Sequence, residues 1–256
     1  MLIDSHCHLT LEDFQKDLDE VILRAEESGI GKIIVPGLDL QTSQYAIELA
    51  ERYGSVYAAV GTHPQDSKSY NNNQMDQFEK LMDHEKVVAI GEIGLDYYWD
   101  YAPRDTQKQV FMEFLELAKV TKTPVIIHNR EAYADLINCV KKKQFKNVTG
   151  VFHCFSEDEK SAREVLDLGF SVSFTGTITF KNSKTAEISK AVKLSDQLLE
   201  TDAPFMAPVP YRGKRNEPGF VKEIAQKQAE FRNITVEEVG RITTDHAFCL
   251  FPKLKN

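Results

Sequence analysis

Four cysteines, at positions 7, 139, 154 and 249, are all that 256 residues contain, and no two form a CxxC pair. That excludes a disulfide framework and a closed, thiolate-rich zinc module. Reduced thiols in a cytoplasmic protein are the natural expectation. No stretch approaches the ~18 apolar residues that a membrane span needs. The N-terminus also lacks the basic region and apolar core of a secretory signal. No membrane association is therefore expected. Basic residues are in deficit as well, with 31 Lys and Arg against 39 Asp and Glu, a formal net charge of −8. This balance disfavours a broad electrostatic grip on nucleic acid, although bound divalent cations would add positive charge locally. Finally, there is no Gly/Ser-rich linker and no abrupt shift of composition, so residues 1–256 read as one domain.

What recurs instead is a short apolar run followed by an amphipathic stretch. The runs are "LIDSHCHL", "KIIVPG", "VYAAVGTHP", "VVAIGEIGLD", "PVIIHNRE", "VTGVFHCF", "FSVSFTGT" and "LLETDAP", beginning near residues 2, 32, 56, 87, 124, 148, 170 and 198. Most are continuously apolar, as parallel strands covered on both faces should be. In "RDTQKQVFMEFLELAKVTK", Val110, Phe114, Leu117 and Ala118 follow helical spacing, with charges on the other face. Gly29 and Gly169 stand where helices should end before the next strand. Eight such alternations predict an α/β protein, a single (β/α)8 barrel of the TIM type. An open doubly wound sheet would carry a glycine-rich phosphate loop after its first strand, and "DSHCHLTLED" has no glycine.

Seven histidines stand at positions 6, 8, 63, 84, 128, 153 and 246. Five of them fall at or near the C-terminal end of a run: His6 and His8 on the first, His63 on the third, His128 on the fifth, His153 on the sixth. Glu92 and Asp96 close the fourth run and Asp202 the eighth. In a barrel those ends converge on one mouth, where active sites sit. Period-two alternation puts Asp4, His6 and His8 on one inward face and Ser5 and Cys7 on the other. The same reasoning turns Cys154 away from the mouth, so both thiols are expected as small buried apolar groups. Asp4, deeper on the inward face, reads either as a group that orients a ligand or as a buried, hydrogen-bonded aspartate. A set of imidazoles and carboxylates suits Zn²⁺, Mn²⁺ or Mg²⁺ in an open catalytic site. It exceeds what one ion with an open position needs, whereas two ions bridged by a carboxylate and a water fit the count.

Other residues are placed around that mouth. Arg130, two after His128, should share its inward face, as a phosphate or carboxylate clamp or as a simple ion pair. Arg212 belongs to the basic loop "PVPYRGKR" (208–215), in the region where barrels often bind phosphate; a solvated surface loop is the alternative. Tyr97, Tyr98 and Trp99 follow the fourth strand and either stack on an unpaired base or pack in the core. His84, in "LMDHEK", reads as an exposed helical residue, and His246 as a structural one in the last helix.

Taken in order, "DSHCHL", "GTHPQD", "GEIGLDYY", "IIHNREA", "FHCFS", "SFTGTITFKN" and "ETDAPFMAPVPYRGKRNEP" resemble the TatD-type metal-dependent deoxyribonucleases, within the amidohydrolase-like barrels. The resemblance implies a distorted barrel with two divalent ions, Mg²⁺, Mn²⁺ or Zn²⁺. It implies that His6, His8, Glu92 and Asp202 hold one ion, that Glu92, His128 and His153 hold the second, and that Glu92 bridges them. Asp202 would take the proton of the attacking water, which makes Asp202 and Glu92 the catalytic carboxylates. His63 and Arg130 match positions that contact the substrate phosphate. The implied activity is hydrolysis of phosphodiester bonds in DNA, trimming single strands or frayed ends from the 3′ side, with no obligate protein partner. A hydrolase of small phosphoesters or of the aminoacyl-tRNA ester is the nearest alternative. A barrel that binds metal or nucleic acid without catalysis is a second, which the intact ligand set disfavours.

Overall fold

The computed structural model describes residues 1–99 and 101–255. Its strands are β1 (Leu2–Asp4), β2 (Ile30–Pro36), β3 (Val56–Val60), β4 (Val87–Asp96), β5 (Val125–Arg130), β6 (Gly150–Phe152), β7 (Ser171–Phe174) and β8 (Gln197–Leu199). They form one parallel sheet in sequence order. One helix follows each of the first seven strands: α1 (Leu18–Glu27), α2 (Leu40–Arg52), α3 (Met75–Leu81), α4 (Arg104–Thr121), α5 (Tyr133–Val140), α6 (Glu159–Asp167) and α7 (Lys184–Ala191). α8 (Val221–Arg232) and α9 (Val236–Leu250) follow β8. Gly29 and Gly169 close α1 and α6 with φ of +85° and +86°, a conformation that costs a glycine little.

The apolar runs supply two layers, as strands covered on both faces require. Ile3, Ile34, Val88, Ile126, Val151 and Leu198 meet inside the barrel, and the other faces pack under the helices with Val21, Phe111 and Phe114. Ala247, Phe251 and Leu254 join the inner layer. Their segment is held where strands begin: His246 bonds Ser171 at the start of β7 and Thr244 bonds the Met1 carbonyl. The last helix thus plugs the N-terminal end of the barrel, which leaves the C-terminal end as the mouth. His246 is structural, as expected. His84 lies in the turn after α3, not within a helix, and pairs with Glu51 at 3.2 Å.

Closure between β8 and β1 is irregular, which is the distortion expected. Beyond the strand ends, Asp202 N donates to the His6 carbonyl (2.9 Å) and His8 N to the Ala203 carbonyl (2.8 Å), beside an isolated Cys7–Ala203 bridge. One expectation needs correction here. Ile3 faces the barrel interior, so unbroken alternation would send His6 and His8 outward. β1 ends at Asp4, and a bend at Ser5 resets the phase. Cys7 then packs outward with no exposure, as expected, while Asp4 bonds Thr201 at the seam instead of lying on the inward face.

The loop after β8 is anchored by charge. Glu217 accepts from Arg24 of α1 at 2.8 and 2.9 Å and from Arg215 at 2.9 Å, and Arg215 also grips Asp17. Burial pushes the Glu217 carboxyl up, but the two guanidinium groups outweigh it and hold the group below its ordinary value. A depressed folded-state pKa contributes stability above the unfolded value of roughly 4.3, and that contribution is lost as pH falls through the folded value. Glu217→Gln should therefore cost about 1–2 kcal/mol at neutral pH, with the deficit closing under acid conditions. Urea unfolding of both proteins across that range checks this, and an equal deficit at every pH would contradict it.

Candidate metal centre

The mouth gathers its polar groups because strand alternation carries them there. Ile126 faces inward, so His128 does too; Val151 sets His153, and Leu198 sets Glu200, while Asp202, three residues past β8 at φ +53°, is placed by its bond to the His6 carbonyl at the seam. Glu92, on β4, is buried at their centre. Its two oxygens face different partners. Oε2 lies 3.3 Å from His6 Nε2 and 3.5 Å from His8 Nε2. Oε1 lies 2.7 Å from His128 Nδ1, 2.9 Å from His153 Nε2 and 3.6 Å from His63 Nε2. Asp202 Oδ1 completes the first side, 3.2 Å from His8 and 3.7 Å from His6. The structure thus brings all six expected ligands and His63 into one cluster.

This arrangement fits divalent cations. The Nε2 atoms of His6 and His8 face each other at 3.1 Å, and Glu92 Oε2 is buried without a hydrogen-bond partner. Unpartnered buried acceptors are costly unless something positive meets them. The carboxylate ionisation states agree with this. Burial raises the Glu92 and Asp202 carboxyls, but the surrounding histidines prevail and hold both below their ordinary values. Burial and the nearby His153 lower His6, while burial and His128 bring His63 down to about 3. Burial lowers His128 and His153 as well, but Asp96 and Glu92 outweigh it at His128, and Glu92 and Glu200 at His153, so both are raised and hold protons that a bound cation would have to displace.

Other groups hold these in place. Asp4 accepts from Thr201 N (2.9 Å), Thr201 Oγ1 (2.6 Å) and His6 N (3.3 Å). It therefore fixes the backbone beside both His6 and Asp202, without touching an imidazole. Asp96 meets His128 Nε2 at 3.1 Å and accepts from Gln65 Nε2 at 2.9 Å. Burial raises its carboxyl, but those hydrogen bonds bring it down to about 2. Glu200, fully buried, accepts from Cys154 N and lies 3.7 Å from His153 Nδ1. The sequence motifs do not single out Glu200, although it stands two residues before Asp202 in the segment that follows β8.

A family model described as TatD related DNase matches residues 3–252. The chain belongs to the TatD family. Among other TatD-type proteins, the uncharacterized metal-dependent hydrolase YabD of Bacillus subtilis is 44% identical over 98% of this chain and 99% of its own. The uncharacterized metal-dependent hydrolase TatD of Mycobacterium tuberculosis is 35% identical over 96% of each chain. The crystal structure of the Escherichia coli TatD homolog YJJV has a TM-score of 0.91, at 32% identity and with 98% of each chain covered. The protein is therefore a metal-dependent hydrolase of the TatD family with a TIM-type barrel, and among its described residues no helix is long and apolar enough to cross a membrane.

Around this TatD-type centre, the expected substrate contacts sit differently. Arg130 stands exposed at the rim above His128 instead of facing inward, with its guanidinium 3.9 Å from the Tyr98 ring. Arg212 is also exposed and lies over Phe180, 4.1 Å from the ring, whereas Arg215 of the same loop is spent on Asp17 and Glu217. Tyr97 packs and bonds Asp135, while Tyr98 and Trp99 face solvent. Cys154 departs from expectation. β6 ends at Phe152 and Cys154 adopts φ +47°, so alternation no longer governs it. Its sulfur lies 3.7 Å from Met206 Sδ, in the loop after β8, so the thiol belongs to the mouth.

Proposed function

We propose that this TatD-family hydrolase is a deoxyribonuclease that removes nucleotides from single-stranded or frayed 3′ ends, using two divalent ions. The observation that carries the reading is the division of Glu92, with one oxygen toward His6 and His8 and the other toward His128 and His153. Divalent ions held on the two sides would acidify water and offset charge on the entering and leaving oxygens of a phosphodiester. The chain's own groups then have distinct tasks. Asp202, held anionic, takes the proton of the attacking water. His63 accepts from Gln65 N at Nδ1 (3.3 Å), which leaves Nε2 to carry the ring proton toward the centre as a neutral donor to phosphate. Arg130 and Arg212 offer permanent charge at the rim, where the flanking phosphates of a strand would run. The 3′ polarity rests on the family resemblance.

Single-stranded DNA labelled at its 5′ end tests this, with a small phosphoester and an aminoacyl-tRNA assayed in parallel. A ladder of shortened labelled products is expected with Mg²⁺ or Mn²⁺, abolished by a chelator. Turnover of either alternative substrate with the DNA left intact would overturn the nuclease reading.

A further inference from the structure

One lip of the mouth carries a cluster that the metal centre does not use. Tyr98, Trp99 and Tyr101 are 50%, 41% and 58% exposed, unusual for large rings side by side. Trp99 and Tyr101 lie parallel, 7° apart with centroids at 5.7 Å, and Tyr98 meets Trp99 edge-on at 4.8 Å. The Arg130 guanidinium sits 3.9 Å from the Tyr98 ring and 5.9 Å from that of Trp99. Flat rings beside a permanent cation suit a ligand that is itself flat and anionic.

The lip is also fixed relative to the metal centre. Asp96 Oδ1 accepts from Tyr98 N (3.0 Å) and Trp99 N (3.2 Å), while Oδ2 meets His128 Nε2 (3.1 Å) and Gln65 (2.9 Å). One buried carboxylate therefore sets both the aromatic turn and a candidate ligand. Arg130 pairs in register with Asp96 and follows His128 by two residues.

We propose that Tyr98, Trp99 and Tyr101 form a stacking site for one unpaired nucleobase of a polynucleotide, beside the guanidinium of Arg130. The inference rests on the deoxyribonuclease reading and assigns the residues that would seat the strand's unpaired base. In a duplex the faces of a base are covered by its neighbours, and a small phosphoester lacks the ring. An unpaired base offers a free face, and a parallel ring pair extends by one more ring without rearrangement.

Trp99 is the chain's single tryptophan, so its emission reports the site directly. The full chain with Mg²⁺ is titrated with a short oligothymidylate whose phosphorothioate links resist hydrolysis, and with an abasic strand of equal length and charge. Quenching by the thymidylate and not by the abasic strand is expected, and Tyr101→Leu should raise the quenching midpoint about tenfold. Equal quenching by both strands would reduce the site to charge and overturn the proposal. So would silent emission while anisotropy shows the labelled strand bound. Quenching by the thymidylate with ordinary DNA left uncut would sink the nuclease reading and leave the stacking site standing. Cleavage of DNA with Trp99 silent would do the reverse.

Discussion

Replacing Glu92 by glutamine should lower hydrolytic turnover about 10³-fold and strip most of the bound metal, because this carboxylate serves both halves of the centre. Loss of a single preorganised group at a reacting centre is typically worth about 2.7–4 kcal/mol. Glu92 stands at the upper end of that range, with Oε1 facing His128, His153 and His63 and Oε2 facing His6 and His8. Glutamine preserves the shape, so packing is not the cause of the loss. It removes the charge, and it turns one face into an N–H donor aimed at imidazole nitrogens that should instead bind a cation. The neighbouring histidines then lack the anion that favours their convergence, and a buried cluster missing one partner costs more than its contacts suggest. Steady-state kinetics together with elemental analysis of the purified variant provide the check. Full metal content with turnover within tenfold of the parent would show that Glu92 does not join the two sides.

How much of this was readable in the sequence depended on whether local periodicity survived to the strand ends. It survived on β5, β6 and β8, where Ile126, Val151 and Leu198 set the direction of His128, His153 and Glu200, but not as far as Asp202, whose φ of +53° belongs to the seam. On β1 it did not. The inward course of His6 and His8 depends on the bend at Ser5, which responds to the closing seam with Leu199 and Ala203 and has no periodic signature. Cys154 failed for a related reason. A non-glycine residue at φ +47° is set by tertiary contacts, and no propensity announces it. Asp96 was visible as a strand end, but its two roles became visible only once β5 lay beside β4 and brought His128 within 3.1 Å. In the basic loop, charge alone could not separate Arg212 from Arg215. The partner that decides it, Asp17, lies nearly two hundred residues from Arg215.

The sharpest contrast to Glu92→Gln is Asp202→Asn, which should cost about 10²–10³-fold in turnover while leaving one half of the metal centre loaded. Asp202 lies mainly on one side, with Oδ1 at 3.2 Å from His8 and 3.7 Å from His6. Of the set around Glu92 Oε1, His153 comes within reach of an ion shared with Asp202 and His6, whereas His63 and His128 group with Glu92 instead. Asparagine is also the gentlest replacement for the backbone here. Residue 202 adopts φ +53°, in the left-handed region that asparagine and aspartate tolerate better than other side chains. Folding stability should therefore hardly change, and the deficit should be chemical: loss of the anion that takes the water's proton and of one donor to the His6–His8 side. Metal analysis should show partial occupancy where Glu92→Gln shows near-complete loss, and calorimetric unfolding should match the parent. Parental turnover would remove Asp202 from proton transfer. Loss of all metal would mean that the two sides fill only together, and would shift the bridging role from Glu92 alone to the Glu92–Asp202 pair.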